Sequence, residues 1–205
     1  GEFEGMLDKI SNKDWKPDFG PIKMVNNAGV TAIGAREFLL AYNINLNTKE
    51  KKLASHIALN VREGGRAKRD SLGKIVRDDN GAMIKVPGTL KATKAVGWYL
   101  EEFGLAQVSM NLTNYNITSL HDAFEEVRKE ANKIGLRVTG SEVVGLLPLE
   151  PLLEAGKYYI SKQNTSPSVS EHEIVDIAIK SLGLREISSF KPEEKIIDYI
   201  LELDS

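Results

Sequence analysis

The 205-residue chain contains no cysteine. That excludes disulfides and thiolate chemistry, and it removes the commonest ligand of structural zinc. Histidine is scarce, with three copies, and no metal-binding motif is read. An excess of positive charge is also missing. Against 27 Lys and Arg stand 29 Asp and Glu, a formal net charge of −2. A nucleic-acid partner recruited by phosphate neutralisation is therefore not expected. No apolar run approaches the roughly 20 residues that a membrane helix needs, and residues 1–23 hold no signal-peptide core. No membrane partner and a cytoplasmic setting are expected. No internal repeat or low-complexity segment is read. Gly1-Glu2-Phe3-Glu4, where an initiator Met would stand, reads as an interior entry point into something longer.

What is present is an ordinary globular composition, 41% apolar and 27% charged, with length for one good core plus appendages. A short helix is expected over residues 5–11. Turn chemistry follows at Trp15-Lys16-Pro17-Asp18-Phe19-Gly20-Pro21, where two prolines fix φ and Gly20 permits tight geometry. Residues 36–46 alternate as a strand, with Leu40, Tyr42, Ile44 and Leu46 on one face and Ala41, Asn43 and Asn45 on the other. Thr48 is expected to cap a helix striped with Leu53, Ile57 and Val61, and Gly64-Gly65 to end it. Residues 66–90 read as an excursion whose Asn80-Gly81 turn joins Ile75-Val76 and Met83-Ile84 into a surface hairpin. Two more strands are expected at 95–100 and 105–112. A helix capped by Thr118 or Ser119 comes next, then a strand over 137–146 broken at Gly140 and Gly145.

The order strand, helix, strand, strand, helix, strand predicts an α+β fold on the ferredoxin-like plan. In it, four antiparallel strands carry helices on one face. A C-terminal helical appendage follows, with helices over 149–161, 171–182 and 192–203 and a polar linker over 163–170. The expected organisation is thus a lead-in at 1–30, the ferredoxin-like subdomain at 31–148 and a helical extension at 149–205.

Several stretches, in order along the chain, resemble the glutamate formiminotransferase family. They are Asp14-Trp15-x-Pro17-Asp18-Phe19-Gly20-Pro21; Gly34-Ala35-Arg36-x-Phe38-Leu39-x-Ala41-Tyr42-Asn43-Ile44-Asn45-Leu46; Ile57-Ala58-Leu59-Asn60-Val61-Arg62-Glu63; and Gly97-Trp98-Tyr99-Leu100. Leu105-Ala106-Gln107-Val108-Ser109-x-Asn111-Leu112 continues the series. Gly140-Ser141-Glu142-Val143-Val144-Gly145-Leu146-x-Pro148 and Pro192-x-Glu194-x-Ile196-Ile197-x-Tyr199 complete it. The resemblance implies transfer of a formimino group from N-formimino-L-glutamate to tetrahydrofolate, the co-substrate, within histidine degradation. It also implies a two-subdomain transferase unit whose catalytic His lies in the N-terminal subdomain, and commonly a homodimer.

None of His56, His121 and His172 matches that catalytic position. The chain is therefore expected to begin after the N-terminal subdomain, to need it as a partner, and to be inactive alone. The family's folate loop maps onto Gly20-Pro21-Ile22-Lys23-Met24-Val25-Asn26-Asn27-Ala28-Gly29. Members fused to a cyclodeaminase carry Trp where this chain has Ala28. By composition alone the same residues read as a linker.

The other sheet face would carry Asn43, Asn45, Gln107, Ser109 and Asn111. Such neutral amides and hydroxyls suit a semi-buried wall that donates and accepts hydrogen bonds at once, and the alternative is plain solvated surface. Asn43 and Asn45 are the strongest folate-binding candidates. Gly140-Ser141-Glu142 reads equally as a β-bulge with no ligand role or as a place where the glycine lets a ligand approach the backbone. The basic residues Arg62, Arg66, Lys68 and Arg69 read as a solvated face, with steering of an anionic folate tail as the alternative. A formyl in place of a formimino donor, and a non-catalytic binding module, remain open readings.

Overall fold

Leu40, Tyr42, Ile44 and Leu46 are all buried on one face of strand β1, Leu40–Leu46, as their alternation requires. A computed structural model describes residues 5–25, 27–163 and 169–203, so Gly1–Glu4, Asn26 and most of the expected linker lie outside the described residues. Two compact units are present, residues 1–36 and 37–205.

The first unit holds helix α1, Met6–Lys9, and a 3-10 turn, Lys13–Trp15, capped by the Asn12 side chain, which accepts the Asp14 N–H at 3.1 Å. The expected loop follows, with Gly20 and Gly29 at φ 90° and 67°.

The second unit is built on helix α2 (Lys51–Val61), strand β4 (Thr93–Leu100), strand β5 (Leu105–Leu112), helix α3 (Leu120–Lys133) and strand β6 (Val138–Val144). Short strands β2 (Arg66–Ala67) and β3 (Lys85–Val86) pair separately. The four-stranded sheet runs β4-β5-β1-β6, every neighbour antiparallel. The expected strand start at residue 36 is corrected to Leu40. Leu40 already lies opposite Leu112, the last residue of β5, so earlier residues have no ladder to join.

Helix α2 packs on β4 and β5, and α3 on β1 and β6. The expected Thr48 cap moves. Glu50 is the N-cap, while the Thr48 hydroxyl accepts the N–H of Glu50 itself at 3.1 Å, ahead of the helix. Ser119, not Thr118, caps α3, accepting the Asp122 N–H at 3.2 Å.

Helices α4 (Glu150–Lys162) and α5 (Glu171–Leu182) continue the same core, which runs without a break through Leu152, Val175, Ile179, Leu182 and Leu184. Gly183 closes α5 in the left-handed conformation, φ 63°, and its carbonyl accepts the Ser141 N–H at 3.1 Å on the free edge of β6. The single C-terminal helix expected over 192–203 is two, α6 (Pro192–Lys195) and α7 (Ile197–Leu203). Between them Ile196 is extended and fully buried, bridged in parallel to Leu147.

The excursion contains a repeat that the sequence reading missed. Arg69-Asp70-x-x-Gly73 recurs as Arg77-Asp78-x-x-Gly81. In each copy one Asp oxygen accepts two backbone N–H groups, from Leu72 and Lys74 or from Asn80 and Ala82. Each Arg donates to the carbonyl of its own turn's glycine. Three extended segments then bond in a ring, Lys68 N–H to Ile84, Ile84 N–H to Val76, and Val76 N–H to Lys68, at 2.8, 3.1 and 2.9 Å.

Candidate functional site

With the helices on one sheet face, the opposite face is left to the polar row expected from sequence. Register places Trp98, Gln107, Asn45 and Gly140 side by side across the four strands, and Val96, Ser109, Asn43 and Glu142 in the row beside them. Asn45 is 0% and Gln107 1% exposed. Asn43 and Ser109 are half-buried and Asn111 is exposed. Trp98 is 53% exposed at the β4 edge, whereas Tyr99 turns to the helix side and is half-buried.

A buried amide needs partners, because an unsatisfied donor or acceptor costs ~1–3 kcal/mol. Gln107 Nε2 donates to Asn45 Oδ1 at 2.8 Å, and Asn45 Nδ2 donates to Glu186 Oε2 at 2.5 Å. Glu186 follows α5 and was not singled out by sequence reasoning. No local pattern links it to β1, and only the fold of the C-terminal helices brings it there. Gly140 makes room for it, since a Cβ at Gly140 would lie 2.5 Å from Glu186 Oε2. A register irregularity between Asn45 and Leu46 lies beside it, as a bulge would give. The group that approaches in this structure is Glu186. One row along, Asn43 Nδ2 donates to Glu142 Oε2 at 3.3 Å.

Of the loop residues, Gly20, Pro21, Ile22, Lys23, Val25, Asn27, Ala28 and Gly29 are exposed in this chain and Met24 is half-buried. The Val25 carbonyl accepts the N–H groups of Ala28 at 3.0 Å and Gly29 at 2.7 Å, which makes a tight turn. Asn26, also expected in the site, lies outside the described residues. Within the first unit a cavity of about 650 Å³ is lined by Trp15, Phe19, Pro21, Lys23 and Val25, among others.

Each histidine is engaged in packing or local bonding. Arg66 Nη2 lies 3.1 Å from His56 Nδ1, and because guanidinium can only donate, the His56 ring nitrogen is the acceptor there. His121 stacks on Tyr158, centroids 4.4 Å apart. Burial lowers its pKa, against the pull of Asp122, Glu154 and Glu125. His172 lies 5.4 Å from the Tyr199 ring. The basic excursion is mostly structural too, with Arg62, Arg69 and Arg77 bonded to carbonyls of Gly65, Gly73 and Gly81. A cleft of about 700 Å³ at the start of α2 is lined by Lys49, Lys51, Lys52, His56, Arg66 and Tyr99. No group of metal-ligating side chains occurs among the described residues. None of their helices is long and apolar enough to cross a membrane.

The class defined by this arrangement is a mixed α/β domain with helices on one sheet face and, on the other, buried and half-buried amides bonded to a half-buried and an exposed carboxylate. Comparison with known proteins makes the assignment specific. Residues 41–202 match the formiminotransferase domain, and residues 1–36 match the N-terminal subdomain of the formiminotransferase domain. The chain belongs to the formiminotransferase family. It is 46% identical over 205 residues to a formimidoyltransferase-cyclodeaminase of Dictyostelium discoideum, covering all of this chain and 35% of that protein. The mouse protein of the same name is 44% identical over 202 residues, covering 98% of this chain and 34% of its own length. A glutamate formimidoyltransferase of Streptococcus pyogenes is 39% identical over 164 residues, covering 80% of this chain and 48% of that protein. The chain thus spans between a third and a half of these relatives. The match over residues 1–36 corrects one expectation: part of the N-terminal subdomain is in the chain, which was expected to begin after it.

Proposed function

We propose that the protein to which this chain belongs transfers a formimino group from N-formimino-L-glutamate to tetrahydrofolate, yielding 5-formiminotetrahydrofolate and glutamate. The chain contributes folate-binding residues, namely Asn43 and Asn45 on the sheet and Gly20 to Gly29 in the loop. The supporting observation is the polar row itself, where fully buried amides stand beside an exposed Trp98. A solvated sheet face has no need to bury Asn45 and Gln107, whereas a ligand wall needs such fixed donors and acceptors. The strand order supports the ferredoxin-like assignment.

Acid–base chemistry requires a titrating group within hydrogen-bond reach of the transferred nitrogen. His56, His121 and His172 are all committed elsewhere. The family resemblance assigns the catalytic His to the N-terminal subdomain, and on that reading the chain alone is inactive. A cytoplasmic homodimer completes the proposal. The test is to add a relative's N-terminal subdomain to the chain and follow formation of 5-formiminotetrahydrofolate. Activity of the pair and not of the chain supports the reading, while activity of the chain alone overturns the assignment of the His. Turnover with formylglutamate but not formiminoglutamate would favour the alternative donor.

A further inference from the structure

The open sheet face has an acidic side. Asn43 and Asn45, two residues apart on β1 and pointing the same way, each anchor a carboxylate, from Glu142 and Glu186 respectively. In each pair one carboxylate oxygen takes the amide, and the other has no hydrogen-bond partner among the described residues. A carboxylate only accepts, so Asn45 must turn its NH2 toward Glu186, and its carbonyl toward Gln107. The geometry of the whole row is thereby set from Glu186. Neither carboxylate has an ion-pair partner among the described residues. Gln107 is 1% exposed, yet among the described residues its side chain bonds only to Asn45, through Nε2. The Gln107 side-chain oxygen has no hydrogen-bond donor among the described residues.

At the other side of the sheet the sign reverses. Lys51 Nζ stands 5.6 Å from the Trp98 ring centroid and, with Lys49, Lys52 and Arg66 against the single acidic Glu50, lines the cleft at the start of α2. Glu142 lies on β6 and Trp98 on β4, so three strand spacings, ~14 Å, separate acidic and basic sides.

We propose that Glu186 and Glu142 recognise the donor edge of the pteridine ring of folate, and that the ligand lies across the strands with its glutamate end toward Trp98 and Lys51. The inference rests on the folate reading above. A 2-amino-4-oxopteridine presents an amino group and a ring N–H side by side, two donors that match the acceptors of a carboxylate. The glutamate end is anionic. Carboxylates repel it from the β6 side, and Lys51 attracts it at the other. The C-terminal helices therefore carry a recognition residue and are more than a structural extension.

The test uses the chain completed with a relative's N-terminal subdomain and three probes: folinate, pterin-6-carboxylate and p-aminobenzoylglutamate. Glu186→Gln should weaken folinate and pterin-6-carboxylate about ten- to hundredfold and leave p-aminobenzoylglutamate within about twofold. Lys51→Ala should show the opposite selectivity. Gly140→Ala, whose Cβ would crowd both Glu186 and the Gly183 carbonyl, should repeat the Glu186→Gln pattern, and thermal unfolding of each variant separates lost contacts from lost fold. Unchanged pterin affinity in Glu186→Gln overturns the assignment while leaving folate binding intact. Weakening of p-aminobenzoylglutamate in place of the pterin reverses the proposed direction. Failure of the unsubstituted protein to bind folinate overturns the folate reading itself.

Discussion

The side-chain N–H of Asn45 meets the Glu186 carboxylate at 2.5 Å, a contact 141 residues apart in sequence that joins the first core strand to the turn after α5. Replacing Asn45 by Asp would set two carboxylates against each other. The pair would then hold a proton to a pH above the ordinary carboxylate range. A raised folded-state pKa contributes stability below the unfolded value that is lost as pH rises through the folded one. Asn45→Asp should therefore cost ~2–3 kcal/mol at neutral pH and recover part of it near pH 4. Urea unfolding at the two pH values measures the difference.

Tyr42 makes a second long-range link, on the helix side. Its hydroxyl, fully buried, donates to Ser141 Oγ at 2.8 Å, and Ser141 Oγ donates to the Leu182 carbonyl at 2.6 Å. Burial pushes the Tyr42 pKa far up, so the phenol stays neutral. Tyr42→Phe removes one bond and should cost ~1 kcal/mol. Ser141→Ala strands both neighbours and should cost ~2–3 kcal/mol. Chemical denaturation of the two variants should give that order.

Gly97 is where α2 crosses β4. A Cβ there would lie 2.2 Å from the Ser55 nitrogen and 2.3 Å from Ser55 Oγ. Backbone cannot yield as a flexible side chain can, so Gly97→Ala should destabilise the domain by at least the ~1–3 kcal/mol typical of overpacking. Thermal unfolding reads the effect directly, and an unchanged melting temperature would contradict this packing.

His121 carries the pH dependence of the contact between α3 and α4. Burial against Tyr158 lowers its pKa below the ordinary value of 6.5. A depressed folded-state pKa contributes stability above the unfolded value that is lost as pH falls through the folded one. The protein should therefore lose stability as pH drops below about 6.5, and His121→Phe, which keeps the stacking, should flatten that slope. Melting temperatures from pH 7.5 to 5 provide the comparison.

The strands were legible because Leu40, Tyr42, Ile44 and Leu46 alternate with Ala41, Asn43 and Asn45, a local signal of period two. The paired asparagines stood out because they share one face of that strand and lie in the longest stretch that resembles the family. Glu186 did not, because its role depends on where α5 ends and on a missing side chain at Gly140, neither of which has a sequence period. The break at Ile196 was hidden likewise. Its residues favour a helix locally, and burial against Leu147 overrides them. The repeat about Asp70 and Asp78 was missed because turn residues, unlike apolar ones, carry no stripe by which to recognise it.

The central claim, that this chain presents folate-binding residues, is tested most directly by calorimetric titration with folinate. The titration is run on the chain alone and with a relative's N-terminal subdomain added. The account predicts saturable one-to-one binding in the completed protein, weakened about tenfold or more by Asn43→Ala or Asn45→Ala. No saturable heat at millimolar folinate in either form would contradict it.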